Sequence, residues 1–207
     1  MKCRFSLSYR DLEEMMMIRG AEIDHSTLQR WVRRFVSLID KRVRQRKKPV
    51  SGSWRMDESY IRLKGKWVYL YRAVDKEGST IDFLLRARRD NVAAKAFFRK
   101  AFRENGRPDK VTVDKGGSNK AALDSFNKDV SQEEQIEIRQ IKYLNNIVEQ
   151  DPRFIKKRTR LTLGFKSFYS ARETISGIEN IRMIQKGQIV GQNSFQSSFN
   201  NFVNLMA

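Results

Sequence analysis

The chain has 207 residues, 42 Lys and Arg against 24 Asp and Glu, and a formal charge of +18. That length suits one catalytic-sized domain with an appendage, and 13 Phe, 6 Tyr and 3 Trp supply a packed core and argue against wholesale disorder. One cysteine, Cys3, excludes a disulfide framework and a cysteine-ligated zinc site, and one histidine, His25, removes His-rich metal sites and His-centred acid–base chemistry. No apolar run reaches the ~18 residues of a membrane span, and no signal-like stretch follows Met1, so the composition predicts a soluble, basic, intracellular protein without a membrane partner.

A positive surplus of this size repels itself unless a polyanion shares the field, and nucleic acid is the usual one. Two clusters concentrate it: Lys41 to Lys48, and Arg153 to Arg160 with Lys156, Lys157 and Arg158 at its centre. Each reads equally well as a solvated face or linker.

From the front, Tyr9 to Arg19 reads as a helix that stops at Gly20. Ser26-Thr27-Leu28-Gln29 has the form of a capping box and opens a second helix, with an apolar stripe of Leu28, Trp31, Val32, Phe35, Val36 and Ile39. Arg30, Arg33 and Arg34 lie off that stripe. Two helices around a short glycine-containing turn, the second rich in Arg, look like a helix-turn-helix that reads DNA, or like an ordinary helical hairpin. Only eight residues precede Tyr9, so a third helix is missing and the module, over residues 1–49 with its basic linker, reads as partial.

Beyond Pro49 the pattern turns to β. Trp54–Arg62, Trp67–Val74 and Thr80–Leu85 form a three-stranded meander around turns at Lys64-Gly65-Lys66 and Lys76-Glu77-Gly78. A helix over Asn91–Arg103 follows, with Val92, Ala96, Phe97 and Ala101 on its apolar side. The order continues with a short strand Lys110–Val113, a helix Ser118–Lys128, a strand Ile136–Ile141, a helix near Asn145–Arg158 and a helix from Ser170 to Ile184. Residues 188–207, rich in Asn, Gln, Ser and Phe, read as a loose polar tail.

The order β-β-β-α-β-α-β-α predicts an α/β fold, a ribonuclease H-like mixed sheet flanked by helices, over residues 50–187. In that layout three acids acquire meaning. Asp57 lies inside the first strand, Asp114 ends the fourth strand that would run beside it, and Glu149 sits early on the helix after the fifth. Converging carboxylates repel unless a cation compensates. Hard oxygen ligands select Mg²⁺ or Mn²⁺, and two such ions suit in-line attack on a phosphodiester. Singly, each acid has a duller reading, as an edge-strand residue, a turn former and a dipole-favoured helix acid.

Asp57, Asp114 and Glu149, with 34 residues between the last two, resemble the acidic triad of DDE-type transposases, and the insertion-sequence-six group of bacterial elements above all. The likeness runs from about Leu7 to Gln188, through Ser8–Met15, Lys66–Asp75, Val113-Asp114-Lys115, Lys142–Asn146 and Gly164–Phe168. It implies nicking of element ends to expose a 3′-hydroxyl, joining to target DNA by transesterification, and a homo-oligomer that pairs the ends. The expected place of work is the bacterial cytoplasm, at the nucleoid. It also implies a basic residue two helical turns after the glutamate, which here is Lys156, sharing a helix face with Glu149 at i, i+7.

Two departures stand against that pattern. The family has a helix ahead of the segment near Leu7, which Met1 to Ser6 cannot supply, and it usually has His where this chain has Pro152. Proline inside a helix costs ~3 kcal/mol, so a degraded copy or a non-catalytic DNA-binding fragment is the alternative reading. A structural protein of a ribonucleoprotein would explain the charge but not the triad.

Overall fold

A computed structural model describes residues 2–5, 7–128, 130–141, 165, 167–192 and 197–206. It divides into two compact units, residues 49–154 and residues 1–48 with 155–207.

The first unit is built on a five-stranded sheet of β1 (Ser53–Leu63), β2 (Lys66–Asp75), β3 (Thr80–Arg86), β4 (Lys110–Val113) and β5 (Glu137–Gln140), in the order β3-β2-β1-β4-β5. The meander β1-β2-β3 is antiparallel, whereas β4 pairs β1 and β5 in parallel. This is the mixed sheet expected from the element order. The turn between β1 and β2 has two central residues, Lys64 and Gly65, both at positive φ (46° and 80°), the geometry that matches the twist of a tight hairpin. The next turn is organised by Asp75, whose Oδ1 accepts from the amides of Glu77 (3.1 Å) and Ser79 (2.7 Å) while Gly78 takes a φ of 79°.

Alternation along β1 decides which face is which. Trp54 and Met56 point into a core with Val111 and Val113 of β4. That core is closed by Ala93, Ala94, Phe97, Phe98 and Ala101 of α3 (Asn91–Asn105) and by Ala122 and Leu123 of α4 (Gly117–Asn127). Asp90 caps α3 through the Ala93 amide. The buried stripe of α3 differs from the expected one: Val92 is exposed, and the paired alanines Ala93 and Ala94 bring the helix close to the sheet. The odd positions of β1, Arg55, Asp57, Ser59 and Ile61, face the other way.

In the second unit, Ser8 and Asp11 exchange hydrogen bonds at the start of α1 (Tyr9–Ile18), with Ser8 Oγ accepting the Asp11 amide at 3.0 Å. The following helix, α2 (His25–Gln45), is capped by Asp24, not by the Ser26 box expected from the sequence. Asp24 Oδ1 accepts from the amides of Ser26 (2.8 Å) and Thr27 (3.1 Å), and the two hydroxyls donate to the same carboxylate. An ionised acceptor two residues earlier outcompetes a neutral hydroxyl. Burial on α2 is also shifted, to Val36, Ile39 and Val43, while Trp31 and Phe35 stay exposed.

Helix α5 (Phe168–Gln185), capped by Ser167, packs along α2. Gly177 permits that approach, since a Cβ there would lie 2.9 Å from Val36 Cγ2. Asp40 fastens the pair: Oδ1 accepts from Ser176 Oγ (3.2 Å) and Asn180 Nδ2 (3.0 Å), and Oδ2 accepts from Arg44 Nε (2.9 Å). The expected loose tail is in part helical: α6 spans Ser198–Met206, with Asn201 and Leu205 buried. The second compact unit holds α5 together with α1 and α2.

Candidate active site

Strands β1 and β4 pair through Ser53↔Lys110, Trp54↔Val111 and Arg55↔Thr112, a constant offset of 57 positions. Continued two residues beyond its last pair, the same register sets Asp57 opposite Asp114. Parallel neighbours lie ~4.8 Å apart; Asp57 falls on the face turned away from α3 and α4, Asp114 directly follows the last residue of β4, and both are half-buried. Asp114 Oδ1 accepts the Lys115 amide at 2.7 Å, which aims the carboxylate at the point where the chain leaves β4. On its other side, Asp57 has Arg72 of β2 as its cross-strand partner. Arg72 is 1% exposed and donates from Nη2 to Thr80 Oγ1 at 3.1 Å. Cation and acid are thus paired across β2 and β1, and Asp114 follows the end of β4.

The neighbouring acid, Glu58, points to the opposite face. Its side chain is 4% exposed, pairs with the Arg89 guanidinium, and accepts a 2.8 Å hydrogen bond from Asn119 Nδ2 of α4. A Cβ on Gly116 would lie 3.2 Å from Arg89 Nη2, so the β4–α4 turn runs directly against that guanidinium. Burial, with Glu58's charge adding to it, pushes the hydroxyl of the facing Tyr71 up to about 12. Glu58 thus ties β1, the loop after β3 and the first turn of α4 together beside the two aspartates. Sequence reasoning missed Glu58 and Arg72. Alternation in β1 separates Glu58 from Asp57, and an arginine inside the apolar run of β2 signals a buried partner.

Glu149, Lys156, Lys157, Arg158 and Pro152 lie outside the described residues. Among the described residues no three His, Cys, Asp or Glu side chains form a metal-sized group. Arg30, Arg33 and Arg34 are exposed on α2, and Arg33 lies 5.6 Å from the centre of the Tyr169 ring. Part of the first basic cluster serves the fold locally. Arg42 Nη1 donates to the Leu205 carbonyl (3.0 Å) and Lys48 Nζ to that of Gly187 (2.7 Å), cations on carbonyls at helix ends.

A family model described as a DDE domain matches residues 51–188. Over 184 residues, 88% of this chain and 80% of the other, it is 40% identical to the transposase for insertion sequence-like element IS431mec of Staphylococcus aureus (strain Mu50 / ATCC 700699). The chain belongs to the DDE transposases of the insertion-sequence-six group. The transposase for insertion sequence element IS257 in transposon Tn4003 of Staphylococcus aureus is similar to the same extent, at 40% identity over 88% of this chain and 80% of that one. Among solved structures, the HTLV-2 integrase catalytic core domain in complex with magnesium (trimeric form) covers 74% of this transposase and 98% of its own chain, at 13% identity and a TM-score of 0.47.

As a transposase of this family, the protein is a DNA-cleaving and DNA-joining enzyme, and enzymes of its kind work with divalent metal ions. The donor type fits such ions: carboxylates such as those of Asp57 and Asp114 are the hard oxygens that Mg²⁺ and Mn²⁺ prefer. No helix of the described residues is long and apolar enough to cross a membrane.

Proposed function

We propose that Asp57, Asp114 and Glu149 are the catalytic acids of this transposase and that together they hold two Mg²⁺ or Mn²⁺ ions. The observation that supports this reading is the parallel β1–β4 pairing, whose last pair, Arg55↔Thr112, lies two residues before Asp57 and Asp114. Divalent ions held there supply activation of the attacking oxygen and stabilisation of the leaving one. The chain's own residues do the rest. Asp57, on a central strand, is fixed by pairing on its β2 side, and Asp114 is oriented by the Lys115 amide. Lys156, Lys157 and Arg158 grip the DNA backbone near Glu149, while Arg30, Arg33 and Arg34 of the N-terminal helices contact the element's ends.

The reaction nicks the terminal repeats, leaves a 3′-hydroxyl, and exchanges one phosphodiester for another at the target. Pairing two ends requires more than one active site, so the working species is a homo-oligomer, acting on DNA in the cytoplasm at the nucleoid. Residues 1–49 read DNA, residues 50–187 perform the chemistry, and residues 188–207 close the chain.

The test is strand nicking and joining on DNA carrying the terminal sequences that flank the gene. Asp57→Asn, Asp114→Asn and Glu149→Gln each lower the Mg²⁺-dependent rate by ~10²-fold or more, while salt-sensitive DNA binding stays within about twofold. Nicking that survives any of the three substitutions removes that residue from the site.

A further inference from the structure

The β1–β2 hairpin continues past the carboxylates and carries a surface that the chemistry above does not use. Tyr60 and Tyr69 are cross-strand partners, as are Arg62 and Trp67, so all four side chains share the face of Glu58. Tyr60 meets Trp67 edge to face at 6.2 Å and Tyr69 at 5.4 Å. Arg62 lies 5.3 Å from the centre of the Trp67 ring, and Arg89, 5.8 Å from the Tyr60 ring, donates from Nη1 to the Tyr60 hydroxyl at 2.7 Å. Even so, Trp67 remains 52% exposed and Tyr60 41%.

Such an arrangement is costly to leave open. Aromatic rings that only stabilised the hairpin would gain by burial, yet these stand at its surface, held in place by arginines. The charge around them is mostly positive: from Ser59 to Val74 the sequence has no Asp or Glu, Lys64, Lys66 and Arg88 are exposed beside Arg62 and Arg89, and the carboxylate on this face, Glu58, is paired with Arg89. Lys64 occupies a positive-φ position (46°) where Gly or Asn would fit at lower cost. A charge is kept where backbone strain argues against it.

We propose that this hairpin face is a stacking platform for unpaired DNA bases beside the cleavage site. A base-paired duplex hides its base faces, whereas a frayed or nicked end presents them. Exposed aromatic rings among cations bind such strands by stacking and by phosphate contact. The position suits that role. Tyr60 lies three residues beyond Asp57, about 10 Å along the strand. The β1–β4 ladder ends at Arg55↔Thr112, before the hairpin face begins. The inference rests on the protein acting on DNA and is independent of which acids cut it.

The test is the binding of fluorescent oligothymidylate and of a random-sequence duplex of equal length to the full chain, in EDTA at fixed salt. Trp67→Ala and Trp67→Leu, the second keeping apolar bulk without a ring face, each weaken oligothymidylate binding by about 5- to 150-fold. Trp67→Phe restores most of it, and duplex binding changes by less than about twofold in all three. Equal losses on both DNAs, or oligothymidylate binding by Trp67→Leu that matches the unaltered chain, overturns the platform. A failure of the proposed catalytic acids would leave this result standing, and the reverse holds too.

Discussion

Asp57 and Asp114 each lie two residues past the last β1–β4 pair, Arg55↔Thr112, 57 positions apart in sequence. Two like charges ~5 Å apart repel by ~3 kcal/mol at an effective dielectric of 20, and partial exposure with salt reduces this to ~1 kcal/mol. On the proposed reading of the site, that repulsion is a cost in stability that a cation relieves. Asp114→Asn keeps the acceptor for the Lys115 amide and removes one charge. In EDTA the variant should melt ~2–4 °C above the unaltered chain. Added Mg²⁺ should raise the melting temperature of the unaltered chain and leave the variant's unchanged. A variant that melts lower in EDTA would show that the two acids do not strain one another.

Glu58 and Asn119 give a second prediction. The carboxylate is buried, and its donors come from α4 and from the loop before α3. Asn119→Ala removes one hydrogen bond to a buried charge, worth ~1.5–3 kcal/mol, and loosens the first turn of α4 behind Asp114. Thermal melting should record that loss. Strand nicking should fall in kcat with DNA affinity unchanged, and the Mg²⁺ concentration for half-maximal rate should rise, because on the proposed reading Asp114 is displaced and not removed. Asn119→Asp, which sets a carboxylate against Glu58, should be worse than Ala on both counts. A loss of stability with an unaltered Mg²⁺ dependence would confine Asn119 to folding.

Much of this geometry was legible in the sequence because it rests on strand periodicity. Trp54 and Met56 at even positions mark the core side of β1, which forces Asp57 to the other, and the short apolar run Lys110–Val113 predicts a buried parallel neighbour ending at Asp114. Less legible were features decided by competition between adjacent groups. Asp24 takes the cap of α2 because its charge outbids Ser26, and Val36, Ile39 and Val43 are buried, not Trp31, because α5, distant in sequence, packs there. The polar composition of residues 188–207 concealed a helix that buries little more than Asn201 and Leu205. Sparse burial of this kind leaves no periodic signal.

The hairpin turn offers a third test. Lys64 sits at a φ of 46°, where a residue with a Cβ costs ~1–2 kcal/mol and Asn or Gly less. Lys64→Asn should therefore stabilise the chain by up to ~1 kcal/mol, or ~2–4 °C in melting temperature. On the reading of the hairpin as a DNA surface, the same change should weaken oligothymidylate binding and flatten its salt dependence by about one counterion. A stabilised variant with unaltered salt dependence would leave the strained lysine without a ligand.

Asp40 makes the acid stability of the helical unit predictable. Burial would raise its pKa, but the charge of Arg44 and the hydrogen bonds from Arg44, Asn180 and Ser176 outweigh burial and hold it below the ordinary carboxylate range. A carboxyl whose folded pKa is depressed stabilises the folded state fully above its unfolded value, ~3.9, and loses that contribution as pH falls through the folded value. Asp40→Asn should cost ~1.5–3 kcal/mol at pH 7, the worth of hydrogen bonds to a charged group. The gap between the melting temperatures of the two proteins should hold steady from pH 7 to about pH 5 and narrow below about pH 4. The link between α2 and α5 is then the part of this unit that acid releases. A gap that stays constant down to about pH 2.5 would mean that Asp40 is held by geometry alone, with its charge contributing nothing.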